Sequence, residues 1–158
     1  RIIIPSYDVD GRLNYFIARS VYVEEKFKYK NPPVSKNVTI FENQINWKKP
    51  ITLCEGVFDA MSIKRNAIPL LGKFIPKTLM DSIYKKGVKE IKILLDKDAQ
   101  NQALYYVNYF MNNGITVTNI LPTEKDAGDM GFSEVNKMLK QTKKSGFEDI
   151  ISQKLMGI

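Results

Sequence analysis

The chain contains no histidine and a single cysteine, Cys54. An intrachain disulfide is therefore impossible, and zinc sites of the Cys/His type are excluded. So are Ser-His-Asp and Cys-His nucleophilic machineries. Any general base or metal ligand has to be a carboxylate, a lysine, a tyrosine or water. A lone cysteine suits a reducing compartment, so a cytoplasmic setting is expected. Long apolar runs are missing as well. None approaches the roughly 20 residues needed to cross a bilayer, and no signal-peptide pattern is visible, so no membrane association is expected. The chain starts at Arg1, directly before the apolar Ile2-Ile3-Ile4, which reads as a piece of a longer protein.

What is present suits one domain of ordinary size with a small appendage, at 158 residues and 44% hydrophobic content. The charge balance is less ordinary. Lys and Arg number 24 against 17 Asp and Glu, a net charge of +7. Nucleic acid is the commonest partner of such a positive field, although a basic balance also serves solubility alone.

Two regions differ in pattern. Ile2 to Pro5 and Leu13 to Val23 read as the strands of a hairpin around the turn residues Asp8-Val9-Asp10-Gly11. Residues 24–37, with Pro32-Pro33, read as an extended loop, and 38–50 is ambiguous. From residue 51 strands and helices alternate. Apolar runs at Ile51–Cys54, Ala67–Leu71, Ile91–Leu95 and Ile115–Leu121 read as strands. Helices are expected over 58–65, from Pro76 to about 86, over 99–111, from Ser133, and over 147–155. This order implies an α/β fold, a mainly parallel sheet flanked by helices and preceded by a small β-rich basic subdomain. The expected division is 1–48, 49–131 and a helical extension, 132–158.

Working residues of such sheets lie at the carboxyl ends of the strands. Glu55 ends the first strand of the α/β region, followed by Gly56, which permits a sharp turn, and, four residues after Glu55, Asp59. Asp96 and Asp98 end the third strand, and Asp126 and Asp129 follow the fourth. Singly, each has an ordinary explanation. Asp59 suits a helix amino end, Asp96 and Asp98 suit loop chemistry, and Asp126 and Asp129 suit a solvated loop. Gathered at one edge they would repel each other, and a divalent cation resolves the conflict. Asp-x-Asp after a strand also occurs in HAD-type phosphatases and some glycosyltransferases. Response-regulator-like and HAD-like folds display acids at strand ends too, but neither explains the Glu-Gly-x-x-Asp element.

The ordered set resembles the TOPRIM domain shared by bacterial-type primases, topoisomerases and related nucleases. Its first motif is matched by Leu53-Cys54-Glu55-Gly56-Val57-Phe58-Asp59 and its second by Ile93-Leu94-Leu95-Asp96-Lys97-Asp98. Lys125-Asp126-Ala127-Gly128-Asp129 is similar to a further primase motif. Upstream, Ile4-Pro5, Asp8-Val9-Asp10-Gly11-Arg12, Phe16-Ile17-Ala18-Arg19 and Lys28-Tyr29-Lys30-Asn31-Pro32 resemble the segment that precedes TOPRIM in primases, with a phage-like or plasmid-like character. The resemblance covers about residues 2–130. The chain departs from it at Gln100-Asn101, where the family usually carries a small residue and glycine, and at Lys73, where many primases have threonine or a small residue. The primase zinc module is absent.

This resemblance implies synthesis of short RNA primers on a single-stranded DNA template from nucleoside triphosphates. It implies Mg²⁺ or Mn²⁺ held by Asp96, Asp98 and Asp126 with Glu55, and Asp59 and Asp129 either supporting those ligands from behind or as alternative ligands. Glu55, Asp96 and Asp98 are the implied catalytic set. Arg12, Arg19, Lys28, Lys30 and Asn31, interleaved with Tyr22, Phe27 and Tyr29, are the expected nucleic-acid contacts. Lys73 and Lys97 are the expected nucleotide contacts, and a replicative helicase, fused or recruited, is the expected partner. The host cytoplasm is the setting if the protein is phage-encoded. A TOPRIM-class nuclease and a non-catalytic nucleic-acid-binding module remain as alternatives. A topoisomerase would need a tyrosine in a large separate domain.

Overall fold

A computed structural model of the chain describes residues 1–121, 127–142, 148 and 152, without the side chains of residues 127 and 129. Two strands, β1 (Ile2–Tyr7) and β2 (Leu13–Arg19), pair antiparallel through the turn at Gly11, whose φ of +77° favours glycine. Then follow β3 (Ile51–Cys54), α1 (Val57–Ile63), β4 (Ala67–Pro69), α2 (Lys77–Lys85), β5 (Glu90–Leu94), α3 (Gln100–Asn112), β6 (Thr116–Asn119) and α4 (Ala127–Gln141). The last four strands form one parallel sheet in the order β4-β3-β5-β6. The α/β class with its mainly parallel, helix-flanked sheet is therefore observed, with the small antiparallel hairpin ahead of it.

The sheet is buried on both faces, which is why its strands read as continuous apolar runs. The alternation is nonetheless there. Ile51, Leu53, Ile68, Ile91, Ile93 and Val117 point to one side, where α2 and α3 add Leu79, Ile83, Val107 and Phe110. Cys54, Ala67, Leu94 and Ile120 point to the other, against Ala60 and Ile63 of α1 and Val135 and Leu139 of α4. Burying each such large aliphatic side chain stabilises the fold by about 1.5–3 kcal/mol. A third cluster, Ile4, Tyr15, Ile17, Ile40 and Val57, seats the hairpin on the start of α1. Polar pins fix that seat. The Phe41 N–H donates to Ser6 Oγ at 2.9 Å, and Asn14 Nδ2 donates to the Thr39 carbonyl at 3.0 Å.

Several bounds differ from the sequence reading, each for a physical reason. The second hairpin strand stops at Arg19 rather than Val23, because Val21, Tyr22 and Val23 stand 56%, 72% and 95% exposed. β-branched and aromatic residues form strand only where a surface accepts them. The chain turns back instead, and Arg19 bridges to Tyr29 antiparallel. The helix expected from Ser133 starts earlier, at Ala127, with a break at Gly131 (φ 75°, ψ 166°). Ser133 is where helical geometry has resumed after that break. The expected helix 147–155 falls outside the described residues apart from Glu148 and Ser152. No helix among the described residues is long and apolar enough to cross a membrane.

Candidate metal centre and its basic wall

β3 and β5 are neighbours running in the same direction, so their carboxyl ends deliver Glu55 and Asp96 side by side. After Asp96 the chain enters a short 3₁₀ turn, Lys97–Ala99, and carries Asp98 back toward the same edge. One carboxylate oxygen from each of Glu55, Asp96 and Asp98 lies within 4.8 Å of the others. Glu55 is half-buried, and the Asp96 backbone N–H donates to its carboxylate. Its pKa is pushed up, first by burial and then by the negative charges of Asp98 and Asp59. The Asp96 N–H and the Lys73 ammonium pull the other way. Glu55 Oε2 is fully buried and has no hydrogen-bond partner among the described residues. An unsatisfied buried carboxylate oxygen beside two further carboxylates suits a hard divalent cation with oxygen ligands.

Asp59 sits differently. Its Oδ2 accepts the Gly56 N–H at 2.8 Å and its Oδ1 accepts the Gly128 N–H at 2.8 Å. It lines the same cleft but is not part of the three-acid group. Asp126 lies outside the described residues. Asp129 is placed only as a backbone position in α4. The chain bends at Glu55-Gly56 as expected, but Gly56 takes an extended φ of −115° there, which any residue can adopt. Close approach is what requires glycine there, since a Cβ would lie 3.0 Å from Asp59 Oδ2. Cys54 is fully buried below this edge. Burial, with Asp59 and Asp96 nearby, pushes its thiol well above the ordinary range, so it stays protonated.

Gln100, a departure from the family pattern, has a structural task. It is buried, and its Nε2 donates to the Leu95 carbonyl at 2.8 Å and to the Asp96 carbonyl at 3.2 Å. Its Oε1 accepts from Asn119 Nδ2 at 3.3 Å. One amide thus clamps the exit of β5 to the end of β6 and fixes the backbone that carries Asp96.

Opposite the acids lies a cationic wall. The cleft between them has a volume of about 680 Å³. Arg19, Lys28, Tyr29, Asn31 and Lys36 line it from the hairpin and the loop that follows. The Arg19 guanidinium sits 4.5 Å from the Phe58 ring centroid and 5.6 Å from that of Tyr29, and donates to Tyr29 Oη at 3.2 Å. Contact with the two rings holds its charge at the cleft, with no salt bridge to an acid among the described residues. Asn31 is a pin, its Oδ1 accepting the Ala18 N–H at 3.4 Å. Lys36 reaches across, Nζ donating to the Leu71 carbonyl at 3.4 Å, where Leu71 adopts φ 55°.

The other expected contacts stand elsewhere. Arg12 sits at the exposed hairpin turn, 3.2 Å from Asp10 Oδ2, away from the cleft wall. Lys30 is exposed and does not line the cleft, although its backbone N–H pairs with the Ala18 carbonyl at 2.8 Å. Lys73 acts on Glu55 through its charge, and Lys97 occupies the turn between the two aspartates. Lys36, Phe58 and Gln100 were not singled out in the sequence as site residues. Phe58 stands inside the Glu-Gly-x-x-Asp element and Gln100 marks a departure from the family pattern, whereas Lys36 carried no signal.

No protein-family model matches the chain, and no curated protein matches it significantly. Its fold does match solved structures. The Escherichia coli primase catalytic core superposes with TM-score 0.75 at 18% identity, over 99% of this chain and 56% of that one. A DnaG primase catalytic domain bound to single-stranded DNA gives TM-score 0.77 at 18% identity, over 99% and 57%. A bacteriophage T7 structure gives TM-score 0.64 at 15% identity, over 90% and 78%. It holds lagging-strand DNA polymerase with primase domains of two gp4 subunits, an RNA/DNA hybrid and dTTP. The chain spans about half the length of the cellular primase structures it matches. Its fold is that of primase catalytic cores.

Proposed function

We propose that this chain is a catalytic core of a metal-dependent primase, joining ribonucleotides into short primers on single-stranded DNA. The observation that carries the reading is the cleft. Glu55 and Asp96, two of the three converging carboxylates and one of them with a buried unsatisfied oxygen, line the cleft together with Arg19, Lys28 and Lys36. Polymerisation of nucleotides needs a cation edge for phosphates and a cationic track for a template backbone, and here they are opposed across one space. The matched structures include one bound to single-stranded DNA and one bound to an RNA/DNA hybrid and dTTP, which supports the same assignment.

Glu55, Asp96 and Asp98 would hold Mg²⁺ or Mn²⁺, with Asp126 and Asp129 as further candidates. When bound, the cation supplies Lewis-acid stabilisation of the attacking and leaving oxygens. In the reaction a primer 3′-oxygen bonds to the α-phosphorus of a nucleoside triphosphate, and pyrophosphate leaves with the electron pair of the broken P–O bond. Glu55, whose pKa burial raises, is suited to accept the hydroxyl proton. Lys73 and Lys97 stand at the edge where triphosphate charge would lie. Arg19, presented by Tyr29 and Phe58, with Lys28 and Lys36, would contact template phosphates. Residues 1–48 would act as the template-facing subdomain, 49–131 as the metal-bearing TOPRIM unit and 132–158 as the helical extension. The setting is the cytoplasm, and a replicative helicase, fused or recruited, would deliver the single strand.

The test is primer synthesis on single-stranded DNA with ribonucleotides and Mg²⁺ or Mn²⁺. Extension products that vanish in Asp96→Ala support the reading. Cleavage of the DNA without synthesis would replace it with the nuclease reading.

A further inference from the structure

Asp59 stands out because each of its oxygens accepts a backbone N–H. Resemblance leaves it either behind the metal ligands or as an alternative ligand, and the three-acid group gathers without it. Its Oδ2 caps the peptide that follows Glu55, and its Oδ1 reaches a backbone N–H distant in sequence, at Gly128 in the first turn of α4. Both bonds, at 2.8 Å, are charge-assisted N–H to carboxylate contacts. Both donors are glycines in tight quarters. A Cβ on Gly56 would lie 3.0 Å from Asp59 Oδ2, and a Cβ on Gly128 would lie 3.3 Å from both Asp59 Oδ1 and Phe58 Cβ. Neither glycine is at positive φ among the described residues, so local turn geometry does not account for them. Close approach to Asp59 does.

We propose that Asp59 is a positioning residue rather than a metal ligand: its carboxylate latches the first turn of α4 to the peptide that follows Glu55. The proposal deepens the primase reading and rests on it for its catalytic consequence. The latch joins two things that must keep register. On one side is the β3 exit bearing Glu55. On the other is α4, whose Val135 and Leu139 pack against α1 and whose amino end follows Asp126 in sequence by one residue. The Gly128 bond fixes the first turn of α4 to Asp59, and the Gly56 bond fixes Asp59 to the peptide that follows Glu55. The same carboxylate also supplies negative charge to the amino ends of both α1 and α4.

The experiment compares Asp59→Asn, Gly128→Ala and Asp96→Asn in the whole chain, by amide hydrogen exchange and by Mn²⁺ titration followed by electron paramagnetic resonance. The latch predicts that Asp59→Asn and Gly128→Ala both accelerate exchange in the first turn of α4, by about tenfold or more. Both should weaken Mn²⁺ binding by less than about threefold, whereas Asp96→Asn weakens it by more than about tenfold. In nucleotide addition both latch variants should lower kcat and leave KM for nucleotide within about twofold, as impaired positioning does. Gly128→Ala keeps every carboxylate, so its defect cannot come from a missing ligand. The proposal is overturned if Asp59→Asn loses Mn²⁺ as far as Asp96→Asn does while α4 exchange is unchanged. Native exchange in Gly128→Ala overturns it too. Should Asp59→Asn fail to fold, Gly128→Ala decides alone. Wild-type protein that binds no Mn²⁺ would end the metal reading, while the exchange data would still judge the latch.

Discussion

The two walls of the cleft are built by different means. The acidic wall grows out of the parallel sheet. Glu55 and Asp96 are placed by the register of β3 against β5, and that register is held by fully buried Ile51, Leu53, Ile91 and Ile93. Its side chains could hardly be elsewhere once the sheet forms. The basic wall has no such scaffold. Arg19 is the last residue of a two-stranded ribbon, and Lys28, Tyr29 and Lys36 lie in irregular chain tied down one bond at a time. Rigid placement suits groups that must share an ion within a few tenths of an ångström. Looser placement suits groups that follow a strand of varying sequence.

If the acidic wall is the rigid partner, removing one of its carboxylates should cost chemistry and spare the fold. Asp96→Asn keeps volume and hydrogen-bond capacity at a half-buried position. We expect primer synthesis to fall by at least about 10²–10³-fold with the circular dichroism spectrum unchanged. Equal loss of activity and of folded structure would show that the acid serves the sheet rather than the reaction.

The same contrast explains what the sequence could disclose. Strand ends followed by acids were legible, because an apolar run that stops at a carboxylate fixes both the element and the position of the charge. Convergence of Glu55, Asp96 and Asp98 needed only the neighbouring of β3 and β5. The basic wall was legible as composition and not as geometry. Val21-Tyr22-Val23 carries strand propensity with no surface to pack on, so β2 looks longer in sequence than it is. Arg12 and Arg19 look alike in sequence, yet one salt-bridges Asp10 at the turn and the other stacks on Phe58 from α1. Lys36 and Gln100 act through bonds between segments far apart in the chain, to Leu71 and Asn119, and no local pattern announces such bonds. Asp59 had the spacing of a ligand. Only coordinates show its two oxygens taken by backbone N–H groups.

On the basic wall, Arg19→Ala with Lys28→Ala should weaken binding of single-stranded DNA by about tenfold or more. The salt dependence should flatten by about 0.7 in log–log slope for each phosphate that the protein no longer neutralises. Arg12→Ala should change neither measurably, which separates cleft cations from turn cations. An equal effect of Arg12→Ala would mean that net charge alone drives binding, and the two-wall picture would lose its second wall. A smaller effect sharpens the point further. Phe58→Ala removes the ring under Arg19 without touching any charge, and should cost about threefold to tenfold in affinity. Tyr22→Ala, at a ring 72% exposed, should cost less than about twofold unless that tip also stacks on bases.

The last contrast is in stability, and its sign runs against intuition. Glu55 in the folded protein holds its proton more tightly than a free glutamate, chiefly because burial disfavours the carboxylate. A raised acid pKa contributes stability below the ordinary value of 4.5, and that contribution is lost as pH rises through the folded pKa. At neutral pH, therefore, the metal-free protein carries a desolvated charge whose Oε2 has no partner among the described residues. Glu55→Gln removes that charge and keeps an oxygen for the Asp96 N–H. Its Tm without metal should exceed that of the wild type at pH 7, and the gap should close as pH falls to about 4 and below, where Glu55 is protonated anyway. Millimolar Mg²⁺ should reverse the order, stabilising the wild type by mass action and leaving Glu55→Gln nearly unmoved. Arg19 is not one of the three gathered acids, so Arg19→Ala should show a Tm difference that Mg²⁺ does not alter. A wild-type Tm indifferent to Mg²⁺ at neutral pH would mean that the cost of burying Glu55 is met by something other than a cation, and the acidic wall would have to be read as structure alone.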